Sequence, residues 1–265
     1  MKLAVIGKDV SKSVSPEIHS FIAAKLGKSI SYDKISVPED EFEDRISGLL
    51  GAYDGVNVTI PYKLTVMPHL KKICGDAKVF GAVNTVKTSD LSGYNTDGLG
   101  FALMLKNNGV EVKGKKVLLL GAGGAGRSAA KKLLDCGAEV YIYDKSSTNA
   151  KTVASEFEGV KYLENINLTP YYVVINATGV GMHKTEGVSP VGKELILQCE
   201  IAVDLIYVPE TSEFLRIAKE LGKKTVNGEA MLFYQAYFAE CIFFGVQPDS
   251  GQAKELFEKF RGINI

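Results

Sequence analysis

Lys116 to Asp144 reads KVLLLGAGGAGRSAAKKLLDCGAEVYIYD, and this stretch decides the fold. Its apolar run, Val117 to Leu120, has the length of a buried strand. Gly121-Ala122-Gly123-Gly124-Ala125-Gly126 follows and satisfies G-x-G-x-x-G. Ala129, Ala130, Leu133 and Leu134 then recur at helical spacing, and Gly137 stands where a C-cap is wanted. A second apolar run, Val140 to Tyr143, ends on Asp144. Strand, glycine turn, helix, strand and terminal acid in that order make a dinucleotide-binding βαβ unit. Gly121 permits the tight turn, Gly123 lets the backbone approach a pyrophosphate, and Gly126 lets helix pack on strand. The pyrophosphate is expected on free N–H groups at the positive end of the helix dipole. Asp144 is placed for an adenosine ribose.

Working outward, 265 residues are enough for two domains of ordinary size, each with its own core. Hydrophobic residues at 46% and charged residues at 23% describe a globular composition. Thirty-one basic residues balance thirty-one acidic ones, so no basic stripe points to nucleic acid or to an anionic membrane. Cys74, Cys136, Cys199 and Cys241 form no C-x-x-C pair, and His19, His69 and His183 lack the spacing of a helical metal pair, so no bound metal is expected. The N-terminal apolar stretch is too short for a secretory signal and reads as a strand. Ala230 to Val246 carries Gln235 and Glu240 and reads as a buried helix rather than a membrane span. A cytoplasmic chain without membrane or nucleic-acid partners is expected, as a monomer or homodimer.

Before the glycine unit, Lys2 to Ile6, Tyr32 to Val37, Gly55 to Ile60 and Ala82 to Lys87 have strand character. Ser15-Pro16 opens one helix and Pro38-Glu39-Asp40 another, and Val66, Leu70 and Ile73 suggest a third. Strands alternating with helices predict a mainly parallel sheet covered on both faces. Beyond the unit, Val173 to Asn176, Ile201 to Asp204 and Lys224 to Val226 are brief strands, and from Glu229 the chain is helical. The expected fold is α/β in two domains. Residues 1–100, completed by 236–265, form a substrate domain, and 101–235 form the dinucleotide-binding domain. The last helices return to the first domain.

Open α/β sheets bind ligands beyond the carboxyl ends of their strands. Ser13 and Ser15 set two hydroxyls at a helix N-terminus, which suits a carboxylate; Ser15 equally suits a plain N-cap. Lys63 is expected on the first turn of a helix, where it opposes the macrodipole, a mild anomaly that favours function over a solvent-facing charge. Thr59, Asn84 and Asp97 end comparable segments. Gln235 in a very apolar helix needs a structural partner or a ligand, because an unpartnered buried amide costs about 1–3 kcal/mol.

The ordered set Ser13-x-Ser15-Pro16, Asn57-Val58-Thr59-x-Pro61-Tyr62-Lys63, Gly81-Ala82-Val83-Asn84-Thr85, Asn95-Thr96-Asp97-Gly98 and Gly121 to Gly126 resembles shikimate dehydrogenase. Ile175-Asn176-Ala177-Thr178, Asp204-x-x-Tyr207-x-Pro209 and Gly228-x-x-Met231-Leu232-x-x-Gln235-Ala236 extend the resemblance over essentially the whole chain. It implies reversible NAD(P)H-dependent reduction of 3-dehydroshikimate to shikimate, a step of aromatic amino-acid biosynthesis, with a C-terminal Rossmann domain. It further implies that Ser13 and Ser15 hold the substrate carboxylate with Tyr207 nearby. Thr59, Asn84, Asp97 and Gln235 take ring hydroxyls, and Lys63 with Asp97 forms the catalytic pair. On the same grounds Gly121, Ala122, Gly123, Gly124, Ala125, Gly126, Asp144, Lys145, Thr178, Leu205, Gly228 and Met231 face the cofactor.

The chain departs from the usual pattern after the second strand of the glycine unit. Many relatives carry Asn-Arg-Thr there, with the basic residue on the 2′-phosphate of NADP; here it is Asp144-Lys145-Ser146-Ser147. NADP is the cofactor the resemblance implies, whereas Asp144 favours NAD and Lys145 offsets that as a point charge. Quinate/shikimate dehydrogenase using NAD is the neighbouring alternative, with Ser15 in place of the threonine common in quinate-active members favouring shikimate. A non-catalytic metabolite- or nucleotide-sensing module on the same fold is the more distant one.

Overall fold

The structure, a computed structural model, describes residues 1–263. The chain divides into two compact units, Met1–Gly100 together with the chain from Phe233 onward, and Phe101–Leu232.

In the first unit the strands are β1 (Lys2–Gly7), β2 (Ser31–Ser36), β3 (Gly55–Val58), β4 (Lys72–Ile73), β5 (Thr85–Lys87) and β6 (Ser92–Tyr94). The helices are α1 (Ser15–Lys25), α2 (Phe42–Ala52), α3 (Asp76–Phe80) and the start of α4 (Asp97–Asn107). The sheet order is β2-β1-β3-β5-β6-β4. Strand β1 is buried from Leu3 to Gly7, so both its faces need cover. Side chains alternate across a strand, and Ala4 and Ile6 join Phe42, Ile46 and Leu50 of α2 on one face. Leu3 packs with Ala239 and Phe243 on the other. Strand β1 pairs in parallel with β2 and β3, and β4 with β6. The remaining pairings, β3 with β5 and β5 with β6, are antiparallel. The β5–β6 hairpin turns through Leu91 at φ +51°; β5 falls within the strand expected over Ala82 to Lys87, whereas β6 has too few residues to show a period.

The helix expected through Val66, Leu70 and Ile73 does not form. Residues 61–66 are turns, Met67–His69 is one turn of 3₁₀-helix, and β4 follows. Pro68 is the physical reason: it has no N–H to donate and its ring clashes with the carbonyl four residues back. The bonds that do form, from the N–H of His69 to Val66 and of Leu70 to Met67, span three residues. Lys63 therefore lies in a turn, and the macrodipole argument made for it does not apply.

Helices α9 (Glu229–Phe244) and α10 (Ser250–Ile263) complete the first unit from Phe233. Helix α9 is apolar on most sides and buried accordingly, with Phe233, Tyr234 and Tyr237 almost fully covered. Its Phe243 ring lies directly over Gly55, where a Cβ would meet the ring carbon at 2.5 Å. Phe21, Phe233, Phe257 and Phe260 join α1, α9 and α10 through edge and tilted ring contacts.

The second unit holds β7 (Lys116–Leu120), α5 (Gly124–Asp135), β8 (Glu139–Tyr143), α6 (Ser147–Glu156), β9 (Lys161–Tyr162) and β10 (Tyr171–Asn176). It continues with α7 (Lys193–Leu197), β11 (Cys199–Asp204), α8 (Glu213–Glu220) and β12 (Lys224–Val226). The order β12-β11-β10-β7-β8-β9 is parallel throughout. The order reverses between β7 and β10, which is the switch point where doubly wound sheets bind dinucleotides. At the carboxyl end of β11, fully buried Asp204 accepts from Asn176 Nδ2 (3.0 Å), Ile206 N (3.0 Å) and Ser212 Oγ (2.5 Å). Burial pushes its carboxyl above the usual range, and these donors oppose that. Asp204→Ala leaves three buried donors without an acceptor, so it should lower stability by on the order of 3 kcal/mol. A fall in urea midpoint followed by circular dichroism checks this; an unchanged midpoint counts against it.

Candidate active site

In the first unit, a turn, a strand end and a helix start bring Lys63, Asn84 and Asp97 together. Tyr62 anchors the turn: its ring stacks on Phe42 with centroids 4.0 Å apart, and its hydroxyl donates to the Val37 carbonyl. The Lys63 carbonyl accepts from Val83 N at 2.8 Å. Lys63 Nζ then lies 2.5 Å from Asp97 Oδ2, with the two side chains 26% and 14% exposed. That exposure leaves the ammonium accessible to a small molecule while its counter-charge is held. Asp97 opens α4, where a carboxylate is favoured by the helix dipole, and its N–H donates to Asn95 Oδ1. The other carboxylate oxygen of Asp97 accepts from Asn84 Nδ2 at 2.8 Å. Asn84 cannot be the other way round, because the backbone N–H of Thr96 donates to its Oδ1 at 2.9 Å.

Ser13 and Ser15 sit half-buried at the start of α1. The Ser13 hydroxyl donates to Ser15 Oγ at 3.0 Å and accepts from Ser15 N at 3.2 Å. The N-cap position falls on Val14, with no side-chain capping bond, so Ser15 is not the N-cap its Ser-Pro context suggested. Thr59 ends β3, its N–H donating to the Ile6 carbonyl and its carbonyl accepting from Tyr62 N. Gln235 is half-buried on the part of α9 that belongs to this unit.

In the second unit the glycine loop has the build of a phosphate cradle. Gly121 has φ +101°, and a Cβ there would meet the Ala177 carbonyl oxygen and Thr178 Cγ2 at 2.9 Å. A Cβ on Gly126 would stand 2.1 Å from the Gly121 carbonyl oxygen, so helix α5 lies against the turn as only glycine allows. Gly123 and Gly124 are exposed with open space above them, Ala125 follows on the first turn, and no side chain caps the N-terminus of α5. These residues fit a pyrophosphate. Thr178 is held by Asn176, whose Oδ1 accepts from its N–H and its hydroxyl. Gly228 abuts the Leu205 carbonyl, where a Cβ would come to 2.1 Å, and Met231 lies in the first turn of α9. Tyr207, 38% exposed, follows β11 in this unit.

Asp144, expected to face the cofactor, is also engaged within the fold. Its Oδ2 accepts from Ala122 N and its Oδ1 from Ser146 N, both at 2.7 Å, so it ties the glycine turn to the loop before α6. Lys145 beside it is exposed. Sequence reasoning also missed Tyr32, His19 and Glu240. His19 Nδ1 lies 2.6 Å from Glu240 Oε1 across 221 residues of chain, and no local spacing signals such a pair. Among the described residues no group of three or more His, Cys, Asp or Glu side chains could hold a metal ion, and no helix is long and apolar enough to cross a membrane.

A switch-point glycine loop in one unit and a lysine–aspartate pair in the other define an NAD(P)-dependent oxidoreductase. Two family profiles match, one described as the shikimate dehydrogenase substrate binding domain over residues 5–86 and one as shikimate / quinate 5-dehydrogenase over residues 103–192. The chain belongs to the shikimate dehydrogenase family. It is 40% identical over 256 residues to shikimate dehydrogenase (NADP(+)) of Carboxydothermus hydrogenoformans, covering 92% of this chain and 91% of that one. The solved structure of shikimate 5-dehydrogenase from Thermus thermophilus in complex with NADP(H) and shikimate superposes with a TM-score of 0.86. It is 36% identical and covers 98% of this chain and 99% of that one. Shikimate 5-dehydrogenase from Listeria monocytogenes, solved in complex with shikimate and NAD, has a TM-score of 0.84 at 29% identity, covering 96% and 95%.

The close approach at Gly126 gives a direct test. Gly126→Ala forces α5 away from the turn at a cost of about 1–3 kcal/mol. It should weaken NADP⁺ binding in a fluorescence titration at least tenfold. Unaltered affinity would show that the loop tolerates the shift.

Proposed function

We propose that the protein catalyses the reversible NADP(H)-dependent interconversion of 3-dehydroshikimate and shikimate, with Lys63 and Asp97 as the catalytic pair. The observation that carries this reading is the 2.5 Å Lys63–Asp97 contact in a half-buried setting, backed by Asn84. NADPH, when bound, supplies the hydride to the ketone carbon. As charge builds on the ketone oxygen, the Lys63 ammonium stabilises it and donates its proton. In the oxidative direction the neutral amine takes the hydroxyl proton back. Asp97 fixes the ammonium in place, and its carboxylate also has capacity to accept from a ring hydroxyl. Thr59, Asn84 and Gln235 take the other ring hydroxyls. The Ser13 and Ser15 hydroxyls, at the N-terminus of α1, receive the substrate carboxylate.

The Carboxydothermus and Thermus relatives support NADP as the physiological cofactor, and so does the engagement of Asp144. With both its oxygens on backbone N–H groups, its charge is partly compensated, and exposed Lys145 with the N-terminus of α6 is left to take a 2′-phosphate. Gly121 to Gly126 take the pyrophosphate, and Thr178, Leu205, Gly228 and Met231 line the rest of the cofactor's path.

Lys63→Ala should lower kcat by about 10²–10⁴-fold while shikimate affinity stays within a few-fold. Retained turnover, followed by NADPH absorbance with shikimate and with quinate as substrates, overturns the assignment. Lys145→Ala should cut kcat/KM for NADP⁺ about tenfold and leave that for NAD⁺ nearly unchanged, the size expected for one charge-assisted contact. A wild-type preference for NAD⁺ would instead show that the Asp144 charge dominates.

A further inference from the structure

Beneath the proposed substrate residues lies a set of polar side chains to which the reaction assigns no part. Tyr32 of β2 stacks on His19 with ring centroids 4.5 Å apart, and His19 is itself held by fully buried Glu240. The ring is therefore clamped. The Tyr32 hydroxyl lies 2.7 Å from Asn57 Oδ1. Asn57 Nδ2 faces the Asn84 carbonyl at 3.3 Å and Thr85 Oγ1 at 3.1 Å. A backbone carbonyl only accepts, so the amide nitrogen must lie on that side and Oδ1 must face Tyr32. The Tyr32 hydroxyl proton is thus committed to Asn57, and its oxygen is left to accept.

The same direction continues beyond Asn57. Thr85 Oγ1 donates to Asn84 Oδ1 at 2.9 Å, and Asn84 Nδ2 donates to Asp97 Oδ1 at 2.8 Å. Donors run one way from Tyr32 through Asn57, Thr85 and Asn84 to the carboxylate that holds Lys63. In a buried series each bond polarises the next, so the members orient as a group. We propose that Tyr32 is a positioning residue for the reaction: its clamped phenol hydroxyl heads the series that orients the Asn84–Asp97–Lys63 group. This inference rests on the function proposed above.

Tyr32→Phe keeps the ring and its stack on His19 and removes only the hydroxyl. The expected result is a fall of about tenfold in kcat/KM for shikimate, since misplacement of reacting groups is costly, with the Kd for NADP⁺ unchanged. The Thr85→Val/Tyr32→Phe double variant should be no worse than the poorer single variant, because both changes break one series. A purely structural tyrosine would lower the melting temperature and leave shikimate kinetics alone, and that result overturns the proposal, as do penalties that multiply in the double variant. Thr85→Val, isosteric and one step from Asn84, gives a second reading if Tyr32→Phe is unstable. The same loss in shikimate kcat/KM is expected, and an unchanged value overturns the proposal. A wild-type enzyme inactive on shikimate would instead overturn the functional reading.

Discussion

The carboxamide of Asn84 is the constraint on which the catalytic unit depends. Its oxygen accepts from Thr96 N and Thr85 Oγ1, and its nitrogen donates to Asp97 Oδ1. Its backbone is bound as tightly, with the N–H donating to the Tyr94 carbonyl and the carbonyl accepting from Val58 N. One 3% exposed residue therefore ties the end of β3, the start of β5, the end of β6 and the start of α4. Buried polar groups are expensive unless satisfied. A side chain with both donors and acceptors at this crossing lets irregular backbone be buried there. Asp97 inherits its position from that arrangement, and Lys63 inherits its position from Asp97.

The second unit solves the same problem with Asn176 and Asp204. Both stand at carboxyl ends of parallel strands, where the ladder stops and loop N–H groups need acceptors. Asn176 serves Thr178 and donates to the Val180 carbonyl, while Asp204 serves Ile206 and Ser212. Asp144 follows the same logic at the end of β8, bracing Ala122 and Ser146. Carboxyl ends of strands are where ligands bind in open α/β sheets, and here they are also where the chain spends its buried polar side chains. Rigidity of the loops and readiness of the site have a common physical origin.

The glycine unit was legible because each of its signals is local. A buried strand, a turn that only glycine permits at Gly121 and Gly126, and a helical repeat through Leu133 follow one another within thirty residues of chain. The buried final helix was legible for a related reason, since it is apolar on most sides over several turns. The segment after β3 was not. Val66, Leu70 and Ile73 have helical spacing, but Pro68 breaks the backbone ladder, and those apolar side chains reach the core from turns and a two-residue strand. Strand β6 of the β5–β6 hairpin escaped because its three residues are held by neighbours rather than by their own pattern. Ser15 invited a capping role by its Ser-Pro context, and only the fold shows its oxygen accepting from the Ser13 hydroxyl.

By itself, the sequence determined the class of fold, the glycine cradle and the family resemblance, because these rest on short-range spacing and on the steric freedom of glycine. It also placed Ser13, Lys63, Asn84 and Asp97 as polar residues at segment ends. Only the tertiary structure decided that the Lys63 ammonium meets Asp97, that Asn84 faces it with nitrogen rather than oxygen, and that Asp144 braces a turn. Only the fold pairs His19 with Glu240 and carries the Tyr32 hydroxyl to Asn57. Each of those outcomes depends on hydrogen-bond geometry between residues far apart in the chain. Which of several available partners a polar side chain takes is settled by what its neighbours leave unsatisfied once the core has closed.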